Sequence, residues 1–409
     1  MINTKLILVD GITGSGKSTT AHYIARQMKK NGIKVKWLHE EERNHPLAEM
    51  QKNKGESDED HTKRVLIEYP KKWIDFTNKI KNDEYIYIVE SYLFQDMIMF
   101  PHFMNDLERQ KIKDFSHSIL KITSCLNPVL IHFYQKDVEK SLKLNWKRRG
   151  NDWTKGFISF FKNTLYCKNR NIKGKKGVIK LWDDFTSLTL ELFKEFNYRK
   201  IQIENSEHKW EEYRNNILTF LKLKRVDEKL YTDSFKYFYG EYFGFGELFN
   251  LHEKDNRLYI DTFWPNLKLI PVAKNELEME GFPISFKFYK YRGKKKLKIL
   301  KADCYYKKNG IADEYIPYNI SEKELSKFCG KYYCESEKLD RKIFMENGKL
   351  YYYWCDKNSQ CQLIPAGKNK FIKLAGLENL ITFENIKGSW QFSVWDKGYK
   401  SDAVFEKKK

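Results

Sequence analysis

Eight consecutive residues near the start of the chain, Gly11-Ile12-Thr13-Gly14-Ser15-Gly16-Lys17-Ser18, carry the spacing G-x-x-x-x-G-K-[ST]. Glycines at those places let backbone N–H groups turn inward around phosphate oxygens, and the N-terminus of a following helix adds a favourable dipole. A lysine in the seventh place reaches the β and γ phosphates of a nucleotide, and the hydroxyl after it ligates Mg²⁺. The expected chemistry is ATP and Mg²⁺ binding, with Gly11, Thr13, Gly14, Ser15, Gly16, Lys17, Ser18 and Thr19 around the phosphates.

Such a loop works only between a buried strand and a helix, and the flanking residues supply both. Leu6-Ile7-Leu8-Val9 is a continuous apolar run, and a helix is expected from Lys17 to Asn31, stopped by Gly32. Four more runs read as strands: Lys34 to His39, Tyr85 to Val89, Val129 to Tyr134 and Arg199 to Ile203. Helical stretches separate them. In the last, Ser206 is expected to cap, with Trp210, Tyr213, Ile217, Phe220 and Leu221 on one face. The alternation predicts an α/β domain over residues 1–224, a five-stranded parallel sheet flanked by helices.

Two carboxylate sites end strands beside the loop. Glu40, Glu41 and Glu42 follow the second run, and Glu90 closes the third. A carboxylate there suits removal of a proton from an acceptor hydroxyl, and any one of the three glutamates fits that role by position. Glu90 is placed to hold the metal, directly or through water. Arg148 and Arg149 head the segment from Lys143 to Lys180, which holds twelve basic residues and a single acid, Asp152. That concentration is expected to form a basic lid, about 143–180, closing over phosphates.

ATPases, GTPases, helicases and kinases all use such a loop. No N-K-x-D-like segment for guanine follows a strand, and 224 residues are few for a helicase core. The region resembles the P-loop kinases of nucleosides and nucleoside monophosphates, as in thymidylate kinase and the deoxynucleoside kinases. Asp10-Gly11 looks like the acid-glycine lead into their loops, with Asp where Glu is more usual. His39-Glu40-Glu41-Glu42 stands where a deoxynucleoside kinase carries its proton-accepting carboxylate. Tyr85 to Ser91 is similar to the family's strand ending in Glu-Arg-Ser, but the arginine is missing. Pro128 to Phe133, a helix and Lys147-Arg148-Arg149-Gly150 look like the fourth strand and the lid. The resemblance implies catalytic roles for Lys17, Glu40 or Glu41, Arg148 and Arg149, and metal roles for Ser18, Glu90 and Asp10. It also implies transfer of the γ-phosphoryl group of ATP to a small acceptor.

Two alternatives stay open on the residues themselves. The lid's lysines and Arg170 also suit a polyanionic acceptor, a 5′-hydroxyl nucleic-acid end. A nucleotide-responsive ATPase that binds a partner through its C-terminal half fits the same loop.

Beyond residue 225 the aromatic share rises to 36 of 185 residues from 28 of the first 224, and short runs alternate with Asn-Gly and Lys-Gly turns. An antiparallel β-rich region is expected. Gly240-Glu241-Tyr242 aligns with Gly330-Lys331-Tyr332, Leu258-Tyr259-Ile260 with Leu350-Tyr351-Tyr352, Leu269-Ile270-Pro271 with Leu363-Ile364-Pro365, and Ile284-Ser285-Phe286 with Ile381-Thr382-Phe383. The order predicts two repeats, 225–320 and 321–409. Their pattern is similar to lipocalin-like half-barrel modules, two of which would close one barrel and serve ligand binding, oligomerisation or protein contact. Arg292-Gly293-Lys294-Lys295-Lys296 reads as a basic hairpin tip guarding an edge, or as a contact for nucleic acid.

The net charge of +20 bears on partners rather than fold. No apolar run reaches the roughly 18 residues of a membrane span, and the start reads as a strand rather than a signal peptide, so a cytoplasmic protein is expected. Seven cysteines without a CxxC pair indicate neither a disulfide framework nor a structural zinc.

Overall fold

The structure, a computed structural model, describes residues 3–48, 50, 52–227, 232–244, 247–262, 264–304, 306, 309–356, 359–373, 380–396 and 399–408. The chain divides into two compact units, Met1–Glu228 and Lys229–Lys409.

The first unit is a three-layer α/β/α domain. Its elements, in order, are β1 (Leu6–Gly11), α1 (Lys17–Lys30), β2 (Val35–Leu38), α2 (Asp58–Lys81), β3 (Ile86–Glu90), α3 (Gln95–Ile98), α4 (Arg109–Thr123) and β4 (Val129–Tyr134). There follow α5 (Val138–Arg149), α6 (Asn151–Lys162), α7 (Leu165–Asn169), α8 (Gly174–Glu195), β5 (Lys200–Glu204) and α9 (Trp210–Leu221). The five strands are all parallel, in the order β2-β3-β1-β4-β5. Strand alternation divides the core. Leu6, Leu8, Tyr87, Val89 and Leu130 pack with α2, α4, α5 and α8, while Ile7, Val9, Ile88, Ile131 and Phe133 pack with α1 and α9. With both faces covered, these strands read as unbroken apolar runs. Because β1 lies between β3 and β4, the chain reverses its direction of travel across the sheet there, and a crevice opens at the carboxyl ends of the strands.

One local expectation is corrected. Ser206 does not cap the last helix: Lys209 is its N-cap and makes no side-chain capping bond. The Ser206 hydroxyl instead donates to Glu204, a partner at the end of β5 that competes for it.

The strands of the second unit are all antiparallel. β6 (Gly240–Gly244), β7 (Glu247–Lys254), β8 (Arg257–Asp261), β9 (Leu267–Ala273), β10 (Glu276–Met279), β11 (Ile284–Tyr291), β12 (Lys294–Ala302) and β13 (Ile311–Glu314) form one closed barrel. After α10 (Glu322–Leu325), β14 (Gly330–Cys334), β15 (Leu339–Glu346), β16 (Lys349–Trp354), β17 (Ser359–Gly367), β18 (Lys370–Lys373), β19 (Leu380–Ile386), β20 (Ser389–Asp396) and β21 (Tyr399–Lys407) form another. Each copy is therefore a whole eight-stranded barrel, not half of a shared one. Its first strand pairs with its last, β6 with β13 and β14 with β21, which removes the open edges that would otherwise need a second copy.

The copies share construction details. In each a 3₁₀ turn precedes the first strand, and the buried tyrosine of that strand donates back to it, Tyr242 to the carbonyl of Phe238 at 2.6 Å and Tyr332 to that of Phe328 at 2.8 Å. The fourth aligned segment shifts by two residues: Leu277 pairs with Phe286 and its counterpart Phe371 with Ile381, so Phe286, not Ile284, matches Ile381. Inside, the copies diverge. Arg341 and Lys373 are buried in the second barrel where the first has Phe249 and Met279; Arg341 donates to the Tyr352 hydroxyl at 2.9 Å and to Asp356 at 2.6 Å.

Candidate active site

β1 ends on Gly11, whose φ of 150° and whose approach to β4 both require glycine: a Cβ there would lie 2.3 Å from the carbonyl oxygen of Phe133. Gly16, at φ 89°, precedes α1 with the Trp210 ring over it, 2.4 Å from where a Cβ would sit. Between them the loop folds back on itself, the N–H of Ser15 donating to the carbonyl of Ile12 at 3.1 Å. The Lys17 ammonium, buried, donates to that same carbonyl at 3.3 Å. Two other elements hold the loop. Asn205, fully buried just past β5, donates its side-chain N–H to the carbonyl of Ser15, and α5 lays Asn145 against Gly14. Ser18, the second residue of α1, is half-buried, as are Thr13 and Thr19.

The carboxylates meet this loop from the neighbouring strands. Glu90, the last residue of β3, is completely buried. It accepts from the indole N–H of Trp37 at 3.2 Å and lies 3.4 Å from His39 Nε2. Because His39 Nδ1 accepts from the backbone N–H of Glu41 at 3.0 Å, Nε2 is the nitrogen that carries the proton and donates it to Glu90. Burial pushes the Glu90 carboxyl up to about 8, and the charge of Glu40 adds to this; the Ser18 hydroxyl, Lys17 and Trp37 pull the other way.

The turn after β2 separates the three glutamates. Glu40 is half-buried and accepts from the Gln95 amide at 3.3 Å, while Tyr92 donates to its carbonyl at 3.2 Å. Burial would raise the Glu40 carboxyl, yet it lies below the ordinary range because Lys17, with His39 and Arg149 behind it, outweighs that effect. Glu41 projects into solvent. Glu42 closes the turn, its N–H donating to the carbonyl of His39 at 2.9 Å. Of the three, Glu40 is brought to Lys17.

Asp10 is placed differently from the metal ligand expected of it. Its carboxylate accepts from the N–H groups of Gly11, Leu93, Phe94 and Gln95, at 2.7 to 3.2 Å. Those groups occupy both oxygens. Ser91, at a φ of 68°, makes the sharp turn after β3 that aims three of them at Asp10. Asp10 thus clamps the segment after β3 to the end of β1, and burial pushes it up to about 6 against the pull of Lys17.

Of the lid residues, Arg149 is half-buried, lies over the Trp153 ring at 4.6 Å and acts electrostatically on Glu40. Arg148 is exposed and faces His208, whose proton affinity is reduced first by burial and then by this charge. Arg170 lies apart, paired with Asp106 and stacked on Tyr166 at 3.9 Å. The structure therefore gathers Lys17, Ser18, Glu40, Glu90 and Arg149, and leaves Glu41, Arg148 and Arg170 outward.

Sequence reasoning passed over His39, Trp37, Asn205 and Gln95. Their one available signal is position: His39 and Asn205 each lie just past the carboxyl end of a strand, the edge where such sheets bind ligands. Trp37 is screened as a plain strand residue, and here it stacks on His22 at 4.8 Å while donating to Glu90.

Among the described residues no cluster of three His, Cys, Asp or Glu side chains has metal-holding geometry, and no helix is long and apolar enough to cross a membrane. A metal here would take its ligands from a hydroxyl, one carboxylate and the phosphates themselves. No family model and no curated protein matches the chain. Similar solved structures are the YorR protein of Bacillus subtilis, in complex with phosphorylated GDP (13% identity over 53% of this chain and 95% of that one, TM-score 0.31), and APE1195 (14%, 54% and 97%, 0.28). A third is PAB0955, a GTPase in apo form from Pyrococcus abyssi (11%, 54% and 98%, 0.23).

Proposed function

We propose that the first unit binds ATP with Mg²⁺ and transfers the γ-phosphoryl group to a hydroxyl of a small acceptor, as nucleoside and nucleotide kinases do. The observation that carries this reading is the meeting of Lys17, Ser18, Glu40 and Glu90 at one end of the sheet, with Glu40 charged beside Lys17. A lone phosphate-binding loop needs no such carboxylate, whereas an acceptor hydroxyl needs one to receive its proton.

The N–H groups from Gly14 to Ser18 and the start of α1 would surround the β and γ phosphates, and Lys17 would turn from the Ile12 carbonyl to them. Ser18 and Glu90 fit Mg²⁺ as hard oxygen donors, the Ser18 hydroxyl lying where it favours the charged form of Glu90. Bound there, the ion supplies charge neutralisation on the phosphates. Glu40 accepts the acceptor's proton as the new O–P bond forms and the bond from the γ phosphorus to the bridging oxygen breaks, leaving ADP. Charge on the equatorial oxygens at that moment is met by Lys17 and Arg149. Gln95, holding Glu40, and Tyr92, stacked on His45 at 4.0 Å, line the acceptor's side.

Incubation with γ-labelled ATP and Mg²⁺ against nucleosides, nucleoside monophosphates, small hydroxyl metabolites and 5′-hydroxyl oligonucleotides tests this, with Lys17→Ala as control. Label moving to a small acceptor, lost in Lys17→Ala, is the expected result. Label on the oligonucleotides alone would transfer the reading to nucleic-acid end phosphorylation. Label appearing only as free phosphate, with every acceptor present, would overturn transfer in favour of an ATPase.

A further inference from the structure

The duplication of the barrel supplies an internal control for surface chemistry. In the first copy the β11–β12 hairpin turns at Arg292 and Gly293, and in the second the β19–β20 hairpin turns at Lys387 and Gly388, all four at positive φ. The registers coincide. Lys287 faces Lys298, Tyr289 faces Lys296 and Tyr291 faces Lys294; in the second copy Thr382 faces Ser393, Glu384 faces Gln391 and Ile386 faces Ser389. Even the outer pairings stop at matching places, Lys287 and Lys296 in one copy, Thr382 and Gln391 in the other.

The same backbone therefore carries a lysine-tyrosine face in one copy and a nearly uncharged face in the other. Guarding an exposed edge does not explain the difference, because the second tip projects equally far with a single lysine, Lys387, at its turn. Nor does stability, since like charges directly opposite across a strand pair, as at Lys287 and Lys298, are unfavourable. Glu276 answers Lys287 at 2.9 Å and Asp313 answers Lys296. Among the described residues Lys290, Arg292, Lys294 and Lys298 have no acidic partner within ion-pair distance. Tyr291 on the hairpin and Tyr237 on the 3₁₀ turn before β6 complete the face, each 50% exposed. Lys290 and Lys295 flank the Tyr237 ring at 5.8 and 5.5 Å, and Arg292 and Lys296 flank that of Tyr291 at 5.3 and 5.7 Å.

We propose that this tip binds single-stranded nucleic acid. Unanswered Lys290 and Arg292 beside these rings match a phosphate chain, while Lys295 and Lys296 keep Glu314 and Asp313 as partners, and the exposed aromatic rings offer stacking to bases, which only an unpaired strand presents. The assignment is independent of the phosphotransfer reading and goes beyond it.

The test measures binding of the full chain to a labelled oligothymidylate across a salt series. Wild type and Lys17→Ala are expected to bind alike, with affinity falling steeply as salt rises. A graft of the second copy's residues, Lys290→Asn, Tyr291→Ile, Lys294→Ser and Lys298→Ser, changes only solvent-facing positions. It is expected to weaken binding at least about tenfold and to flatten the log–log salt slope by about 2, the counterion release of three lost cations on a single strand. Tyr291→Ala alone should cost about tenfold and Tyr291→Phe little, as stacking requires. Binding that the graft leaves unchanged would overturn the site. Equal competition by heparin or duplex DNA, with Tyr291→Ala neutral, would overturn single-stranded nucleic acid as the partner.

Discussion

Glu40, Glu41 and Glu42 are indistinguishable by residue type, and the turn after β2 gives each a different environment. Charge at Glu40 is favoured by Lys17, whereas Glu41 faces water. If Glu40 takes the acceptor's proton, Glu40→Gln lowers kcat by about 10²- to 10⁴-fold, and Glu41→Gln leaves it within about twofold. Steady-state kinetics of the two variants, once an acceptor is known, checks this; equal effects would remove Glu40 from the role. His132 gives a residue-scale prediction about stability. It is almost wholly buried on β4, and burial, helped by Lys17, brings its pKa down to about 3. The folded state keeps it neutral while the unfolded chain protonates it near 6.5, so stability from this site is complete above 6.5 and falls as pH drops toward 3. Glu90, shifted upward, acts in the opposite sense over part of that range. A comparison with His132→Gln isolates the histidine: relative to wild type, the variant should gain about 2 kcal/mol on moving from pH 7 to pH 5. Denaturant titrations at the two pH values read it directly, and a pH-independent difference would refute it.

At the scale of elements, the strands were legible because parallel strands covered on both faces become continuous apolar runs. Val129–Tyr134 reads the same from sequence as from hydrogen bonding. The cap of α9 was not legible, since Ser206 has a competing acceptor, Glu204, that the sequence does not weigh. Nor was the barrel closure. Pairing β14 with β21 joins residues far apart in the chain, and no local pattern reports which long-range pairing wins. The tyrosine that ties each barrel's first strand to its preceding turn is a test of that construction. Tyr332→Phe removes a buried hydroxyl and strands the Phe328 carbonyl, costing about 1 to 2 kcal/mol with the rest of the ring's packing intact. Tyr242→Phe should cost about the same, as it makes the same bond. Chemical denaturation followed by circular dichroism compares them, and a neutral effect in both would deny the bond a structural role.

For the whole molecule, two compact units with separate cores imply separable responses to ligand. If the loop at Gly11 to Ser18 binds ATP, excess ATP and Mg²⁺ stabilise only the first unit, by about 2.7 kcal/mol at a hundredfold excess over Kd. Calorimetry should show one transition moving upward while the β unit's stays in place, and Lys17→Ala should abolish the movement. A shift of both, or of the β unit alone, would place the nucleotide elsewhere.

The sequence by itself determined the class of both halves: a parallel sheet flanked by helices, then two antiparallel repeats. Such information is local, written in the period of apolar residues and in the glycines that permit positive φ. Tertiary structure decided which glutamate meets Lys17, that Asp10 is a clamp, and that each repeat closes alone. It also revealed that equivalent hairpins carry different surface chemistry. These depend on which distant groups share a buried volume or a register, and that is settled by packing and desolvation rather than by neighbours along the chain.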